Sequence, residues 1–428
     1  MSEAVYLLPG LRSPFTRMDG RLGRLRALEI SAPVIQQTVV GANGPGPERA
    51  DAVDLVVWGS VVPTLSVANW GREAWFEAGL DPSVPGLTVV EQCATSLAAA
   101  TLTAGQIRAG KLDLALCGGV EAMSQVQLGL SRGLSRKLRG AGAAKTAGAR
   151  LSTLASIRPK DLRIHAPGVK ERVTGKSMGE HCEEMAKEWR IGREEQDRLA
   201  LASHQRAVGE RGGFFRPLLV KPGTFATDRD TIPRPDTSLD KLASLRPVFD
   251  RERGTLTAGN SSPLTDGAAC CWTASQTGVE RLPDSLPRAR LVDWEQAAID
   301  LRREGLLMAP AIAIPRLLAR HNLGYEEIDL WEIHEAFAAQ VLCTIEALQD
   351  RAWVRERAGV DRDFGRFPDA RMNPNGGSVA IGHPFAATGA RILSQAVREL
   401  AGKPTGSRAV VSVCAAGGLG VVALLQAD

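Results

Sequence analysis

No CxxC pair and no regular cysteine spacing occur among the seven cysteines of this 428-residue chain, which excludes a disulfide framework and a cysteine-based zinc site. The six histidines never fall at metal-ligand spacing from cysteines, so no metal site is expected. No apolar run approaches the roughly 20 residues that span a bilayer. Residues Met1 to Gly20 lack the charged-then-apolar order of a secretory leader, and a cytoplasmic protein is the expectation. Charge of one sign is also scarce: 52 Lys and Arg against 48 Asp and Glu leave a net +4, too mild to predict a nucleic-acid partner. What remains is the composition of an ordinary globular protein, 44% hydrophobic and 23% charged. At this length a single core normally stops growing, so more than one structural unit is expected.

Apolar runs alternate with helical patterns, which predicts an α/β protein whose central strands are covered on both faces. Strand-like runs lie at Asp54–Trp58, Leu112–Cys117, Ile328–Ile333 and Arg408–Cys414. Two stretches share a plan: an apolar run, a reactive residue opening a small-residue helix, then a second apolar run ending at a cysteine. One runs from Asp51 through Cys93 to Cys117, the other from Ile328 through His383 to Cys414. The region from Gln125 to Asp250 breaks this pattern and reads as an insertion. Its first part is basic: Arg132, Arg136, Lys137, Arg139, Lys145, Arg150, Arg158, Lys160, Arg163, Lys170, Arg172 and Lys176 face only Asp161 and Glu171. Either a solvated loop or a site for a polyanion, such as a CoA diphosphate, a lipid head group or an acidic partner, accounts for such a segment.

Four blocks carry residue types suited to chemistry. Cys93 follows an apolar run and precedes the Ala-rich stretch to Ala100, a helix N-terminus where a thiolate would be favoured; taken singly, such a cysteine reads as core. The Gly-rich Asn373–Arg391 segment places His383 and Pro384 at the start of a second small-residue helix, a setting that keeps imidazole neutral and able to accept a thiol proton. Cys414 ends an apolar strand before Ala-Ala-Gly-Gly-Leu-Gly420, a turn whose N–H groups can face an oxyanion. It is not GxGxxG, and the pairing of a second strand with an acidic residue that a dinucleotide site requires does not follow. His334 lies at a strand-to-helix junction; Ala338 stands where HExxH requires histidine, which rejects a zinc protease. Gly175-Lys-Ser177 mimics the end of a P-loop, but Lys170 occupies the position of its first glycine. Cys117, Cys182, Cys270, Cys271 and Cys343 read as core.

These four blocks, in this order, with Gly254–Ser262 and Gly267–Ala269, resemble the thiolase superfamily over essentially the whole chain. His334-Glu-Ala-Phe337 and Cys414-Ala-Ala-Gly bring the resemblance nearest to degradative 3-ketoacyl-CoA thiolases of the trifunctional-enzyme beta-subunit type. Ser177-Met178-Gly179 and Met308-Ala309-Pro310 depart from the biosynthetic pattern. The resemblance implies a duplicated fold in α-β-α-β-α layers. Its parts would be residues 1–124 with 251–280, an inserted CoA-binding loop domain at 125–250, and 281–428. It implies thiolytic cleavage of 3-oxoacyl-CoA in β-oxidation, with biosynthetic acetyl-CoA acetyltransferase as the alternative. It also implies that Cys93 is the nucleophile, His383 its base, and Cys414 the acid/base at the α-carbon. One oxyanion hole would use His383 and a group or water held by His334; the other would use the N–H groups of Cys93 and Ala416. Ser262 and Met178 would line the pantetheine tunnel. Coenzyme A would be co-substrate, with no permanently bound cofactor. A homodimer or larger assembly and a hydratase/dehydrogenase alpha subunit are the implied partners, and membrane contact stays open. Two rivals share the fold, a ketoacyl synthase or hydroxymethylglutaryl-CoA synthase type of condensing enzyme and a non-catalytic lipid-binding or scaffold protein. Cys414 argues against the first, and the joint presence of Cys93, His383 and Cys414 against the second.

Overall fold

The computed structural model describes residues 3–165, 167–168, 170–209 and 213–428. Met1 and Ser2, at the head of the segment searched for a leader, lie outside them, as do Ala166, Val169 and Glu210–Gly212 of the insertion.

Nine strands follow one another across the sheet. They are β1 (Tyr6–Arg12), β2 (Leu55–Gly59), β3 (Gly86–Thr88), β4 (Leu114–Glu121), β5 (Thr265–Ala274), β6 (Ala289–Ala298), β7 (Leu330–Ile333), β8 (Arg408–Ala415) and β9 (Leu419–Ala427). Their order is β7-β8-β9-β6-β1-β5-β4-β2-β3, and Thr16–Arg17 adds a tenth strand beside β5. The pairs β2–β3, β2–β4 and β7–β8 are parallel, and the others along the path are antiparallel. Parallel neighbours need a crossover. Helix α3 (Thr95–Arg108) lies between β2 and β4 in sequence, and the helix at Thr388–Leu400 lies between β7 and β8. The same strand-helix-strand plan thus recurs in both parts of the sheet. They meet through a short β1–β6 pairing at Tyr6–Arg290 and Leu7–Ala289.

Burial on both faces explains why the strands read as unbroken apolar runs. In β9, Val421, Ala423, Leu425 and Ala427 join a core with α3 and the Thr388–Leu400 helix, whereas Val422 and Leu424 join another with Ala309–Arg320. Successive side chains therefore enter different layers. Helices α1 (Ala27–Val40) and α2 (Trp70–Glu77) cover the outer face of the first part. The expected α-β-α-β-α layering is present, with α3 and the Thr388–Leu400 helix innermost. These two approach very closely: a Cβ on Gly389 would stand 2.5 Å from the Leu97 backbone nitrogen. Ser96 Oγ accepts from the Ala390 N–H at 2.8 Å. Small residues at this crossing draw together the helix starts that follow Cys93 and His383.

The basic segment differs from the loop option. It folds as α4 (Arg132–Ala143) and α5 (Ala147–Ala155), each N-capped by a hydroxyl, Ser131 and Thr146. Gly and Arg obscure the helical period because neither marks an apolar face. All twelve cations are exposed except Lys137 and Lys176, which are half-buried, and Lys137 pairs with Asp161 at 2.6 Å. Helices α6 (Met178–Glu188) and α7 (Arg193–Val208) then bring the insertion onto the second part of the sheet. Beyond it lie α8 (Ala309–Arg320), α9 (Ala338–Gln349), α10 (Arg351–Ala358) and α11 (Thr388–Leu400). Among the described residues, no helix is long and apolar enough to cross a membrane.

Candidate active site

The chain leaves β3 through Val89–Glu91 and turns sharply at Gln92, whose φ of 47° is unusual for a non-glycine residue. A short 3-10 turn, Gln92–Ala94, then leads into α3. Thr95 closes the turn, accepting from the Glu91 N–H at 2.9 Å and donating to the Gln92 carbonyl at 2.7 Å. Cys93 sits at the apex and keeps part of its surface open.

His383 approaches from the other part of the sheet. Gly382, at φ 110°, turns the chain out of the short helix Ser378–Ile381. The His383 N–H donates to Thr265 Oγ1 at 3.0 Å. Helix α11 starts only at Thr388, after the 3-10 turn Phe385–Ala387. His383 therefore does not open the helix, as its sequence setting suggested. Its ring points back to that helix, with Nδ1 2.7 Å from Thr388 Oγ1, and Nε2 lies 3.1 Å from Cys93 Sγ. With the Nδ1 proton on Thr388, Nε2 presents a lone pair to the thiol.

Burial sets the charge state. Protein atoms crowd Sγ closely enough to push the Cys93 thiol up to about 12, although N–H groups of Ala416 and Cys93 itself pull it down. Burial, and then the positive charge of Arg391, lowers His383 to about 3. The resting pair is a neutral thiol and a neutral imidazole. Desolvation here works against the thiolate that a helix N-terminus favours, and it is the larger of the two effects on Cys93.

His334 lies at the end of β7, its N–H donating to the Ser412 carbonyl at 2.8 Å. It is buried, and its Nδ1 lies 2.8 Å from Ser378 Oγ. Its Nε2 is buried without a hydrogen-bond partner. One ring nitrogen of His334, one of His383 and Cys93 Sγ lie within 4.8 Å of one another, among the described residues the only such group that could hold a metal ion. The 3.1 Å separation of Sγ from Nε2 is equally that of an ordinary thiol–imidazole hydrogen bond. Burial first, and then the proximity of His383 and Arg391, hold His334 well below the usual histidine range.

Glu335, the next residue, ties three segments together. Its carboxylate accepts from Ser203 Oγ at 2.7 Å, Asn373 Nδ2 at 2.7 Å and the Val379 N–H at 3.2 Å. Gly377 must be glycine here, since a Cβ would fall 2.1 Å from the Glu335 carboxyl carbon. Glu121 does similar work from β4. It accepts from Ser60 Oγ and the N–H groups of Val61, Val62 and Ala386, which anchors the His383 segment to the first part of the sheet. Burial raises Glu121 to about 7. Neither glutamate is singled out by sequence reasoning, although the position of Glu335 inside a recognised block is a signal.

Cys414 lies one residue before the end of β8 and is buried, with its pKa raised first by burial and then by the nearby Cys93. Gly417 and Gly418, with φ of 81° and 75°, make the turn that follows, while Ala416 stays outside the left-handed region. The Gly417 N–H donates to Glu171 Oε1 at 2.8 Å, so the insertion reaches this turn directly. Met178 packs in the same apolar cluster as Cys414, with Phe249 and Phe337. Ser262 turns its hydroxyl onto the Ala336 carbonyl at 2.9 Å, a contact that steadies the turn after His334. A cavity of about 350 Å³ opens beside this cluster, lined by Lys176, His181, Met185 and Arg302 among others.

Comparison with known proteins agrees over the full length. The sequence model described as "Thiolase, N-terminal domain" matches residues 5–277, and "Thiolase, C-terminal domain" matches residues 285–427. A 3-ketoacyl-CoA thiolase of Pectobacterium carotovorum subsp. carotovorum (strain PC1) is 37% identical over 99% of this chain and 97% of its own length. One of Klebsiella pneumoniae (strain 342) is 34% identical over 100% and 97%. The crystal structure of a Bacillus anthracis acetyl-CoA acetyltransferase superposes with a TM-score of 0.80 at 29% identity, covering 100% of this chain and 99% of that one.

Proposed function

Because the chain belongs to the thiolase family, we propose that it is a 3-ketoacyl-CoA thiolase, cleaving 3-oxoacyl-CoA with CoA to acetyl-CoA and a shortened acyl-CoA. The observation that carries this reading is the neutral pair of Cys93 Sγ and His383 Nε2, 3.1 Å apart, with the Ala416 N–H directed at the sulfur. A thiol beside a neutral base is suited to attack a carbonyl once substrate excludes water.

Cys93 gives its proton to His383 and attacks the ketone carbon of the substrate. The C2–C3 bond breaks, its electron pair passes to C2, and Cys414 protonates the resulting acetyl-CoA enolate. The shortened acyl group is left on Cys93 as a thioester. CoA then enters and loses its thiol proton to Cys414. Its attack expels Cys93, which recovers its proton from His383. Two oxyanions form on this route. The N–H groups of Cys93 and Ala416 serve one hole, and His383 with a group or water held by His334 serves the other. The acyl enzyme implies ping-pong kinetics.

Residues 1–124 with 251–280 and residues 281–428 form the two halves that hold these groups, and residues 125–250 bind CoA. Met178 and Ser262 line the pantetheine path. The protein works as a homodimer or larger assembly, and a hydratase/dehydrogenase alpha subunit is its candidate partner. Co-purification from the native source tests that association, and absence of such a subunit overturns it.

Assay of the purified protein with 3-oxoacyl-CoA substrates of increasing chain length tests the activity. CoA-dependent release of acetyl-CoA is the expected result, and no cleavage at any length overturns it. A Cys93→Ala variant that still formed a labelled acyl enzyme would overturn the choice of nucleophile.

A further inference from the structure

The buried hydrogen bonds behind His334 run in one direction. Gln395 Nε2 donates to Glu332 Oε1 at 2.9 Å, which fixes the orientation of its amide and leaves Gln395 Oε1 to accept from Arg391 Nη1 at 3.0 Å. Arg391 Nη2 donates to Ser378 Oγ at 2.9 Å. An arginine can only donate, so one lone pair of Ser378 is taken. The serine hydrogen still needs an acceptor, and His334 Nδ1 lies 2.8 Å away. Were Nδ1 to carry the proton instead, Ser378 would receive two donors and its own hydrogen would be left unpaired in a site where Ser378, His334 and Arg391 are at most 2% exposed. An unmade hydrogen bond is costly there. Protonating both nitrogens is opposed by burial and by the neighbouring Arg391.

We infer that Ser378 and Arg391 are positioning residues that hold His334 as its Nε2–H tautomer, so that this unpaired hydrogen is given directly to an oxygen of the bound acyl substrate. Two observations support the destination. His334 Nε2 is buried and has no partner within the protein. His334 also belongs to the cluster whose ligand atoms gather within 4.8 Å around Cys93 and His383. His383 is set in the opposite sense if its Nε2 is to take the thiol proton: Nε2 lies 3.1 Å from Cys93 Sγ and must be bare, which puts the ring hydrogen on Nδ1, 2.7 Å from Thr388 Oγ1. Two adjacent imidazoles thereby take different tasks, one accepting a proton and one donating a hydrogen bond. His334 needs no water between itself and the oxygen.

The inference rests on the proposed acyl transfer only for the identity of that oxygen; the tautomer can be read in the resting protein. With 15N-labelled histidine, ring nitrogen shifts and couplings of the full chain report the tautomer, and a His334→Asn variant assigns the signals. The Nε2–H form of His334 is expected to dominate at neutral pH, and a dominant Nδ1–H form overturns the proposal whether or not any variant folds. Ser378→Ala is expected to admit the Nδ1–H form and to lower kcat by about 10- to 100-fold with KM little changed, less than outright loss of an oxyanion donor. Ser378→Thr, which keeps the hydroxyl, is expected to restore both readouts. A folded Ser378→Ala protein with unchanged tautomer and unchanged kcat overturns the relay. Absence of thiolysis in the parent protein would instead remove the acyl-transfer reading and leave the nitrogen spectrum to decide the tautomer.

Discussion

The imidazoles of His334 and His383 lie against each other with ring centroids 4.1 Å apart and planes inclined by 44°. Two imidazolium ions at this separation would repel each other, and burial first, with the positive charge of Arg391 added to it, already lowers both. At rest both rings are therefore held neutral, and no more than one can take a proton at a time. That neutrality passes to the third member of the group: with His383 lowered to about 3 and Cys93 raised to about 12, the thiol keeps its proton at rest.

The first prediction concerns that proton. Cys93 has its pKa raised, so the thiol is the form present on the acid side and thiolate appears only as pH approaches about 12. The ultraviolet difference between parent and Cys93→Ser proteins, followed from about pH 5 to about pH 9, should therefore show no thiolate band. A band that titrates in with a midpoint inside that range would identify a preformed thiolate–imidazolium pair and sink the neutral-pair mechanism.

Glu335 carries a stability prediction. In Glu335→Ala, Ser203 Oγ, Asn373 Nδ2 and the Val379 N–H all lose a buried acceptor. At about 1–3 kcal/mol for each unmade bond, and with partial relaxation, a loss of about 3–5 kcal/mol is expected. Urea denaturation of parent and variant measures it. A loss below about 1 kcal/mol would mean that these donors find other partners and that Glu335 does not join the segments.

What is legible in the sequence depends on distance along the chain. The strands at Leu55, Leu114, Leu330 and Arg408 are legible because a strand buried on both faces needs an unbroken apolar run. Cys93, His383, His334 and Cys414 stand out as parts of local motifs. The contacts that give them their states are not legible, since they join residues far apart. Glu121 meets Ala386 across 265 positions, and Ser378 meets His334 across 44. The charge of Cys93 escapes the sequence for the same reason: a helix start is visible there, but the burial that outweighs it comes from other segments. The α4–α5 pair is obscured by glycines and arginines that leave few apolar positions to mark a period.

Gly59 predicts how tightly the nucleophile's turn is seated. A Cβ at this position would stand 2.1 Å from the Val89 carbonyl oxygen and 2.3 Å from Thr95 Cγ2, both belonging to the turn that presents Cys93. Gly59→Ala must push this turn away from β2. A displacement near 1 Å costs about 10- to 100-fold in a positioned reaction, against about 1–3 kcal/mol in stability. Single-turnover formation of the acyl enzyme gives the first quantity and urea denaturation the second. Unchanged acylation in a merely less stable variant would show that the turn tolerates the shift.

Glu171 offers the corresponding test for the turn after Cys414. Its carboxylate takes the Gly417 N–H at 2.8 Å, while its backbone belongs to a small loop closed by the Glu171 N–H on the Lys176 carbonyl and the Gly175 N–H on the Glu171 carbonyl, both at 2.7 Å. This loop leads directly into α6 and Met178. The insertion therefore grips the turn whose Ala416 N–H faces Cys93 Sγ. In Glu171→Ala the Gly417 N–H, half-buried, can turn to water, so stability should fall by no more than about 1 kcal/mol. The Ala416 donor loses its fixed direction, and kcat should fall about tenfold, because an oxyanion donor works only when aimed before the charge develops. Glu171→Gln keeps an acceptor at the same place and should recover most of the rate. Steady-state kinetics of the two variants decides the matter: equal rates in Glu171→Ala and the parent would mean that β8 and β9 alone hold the turn, and a Glu171→Gln protein as slow as Glu171→Ala would point to the carboxylate's charge rather than its hydrogen bond.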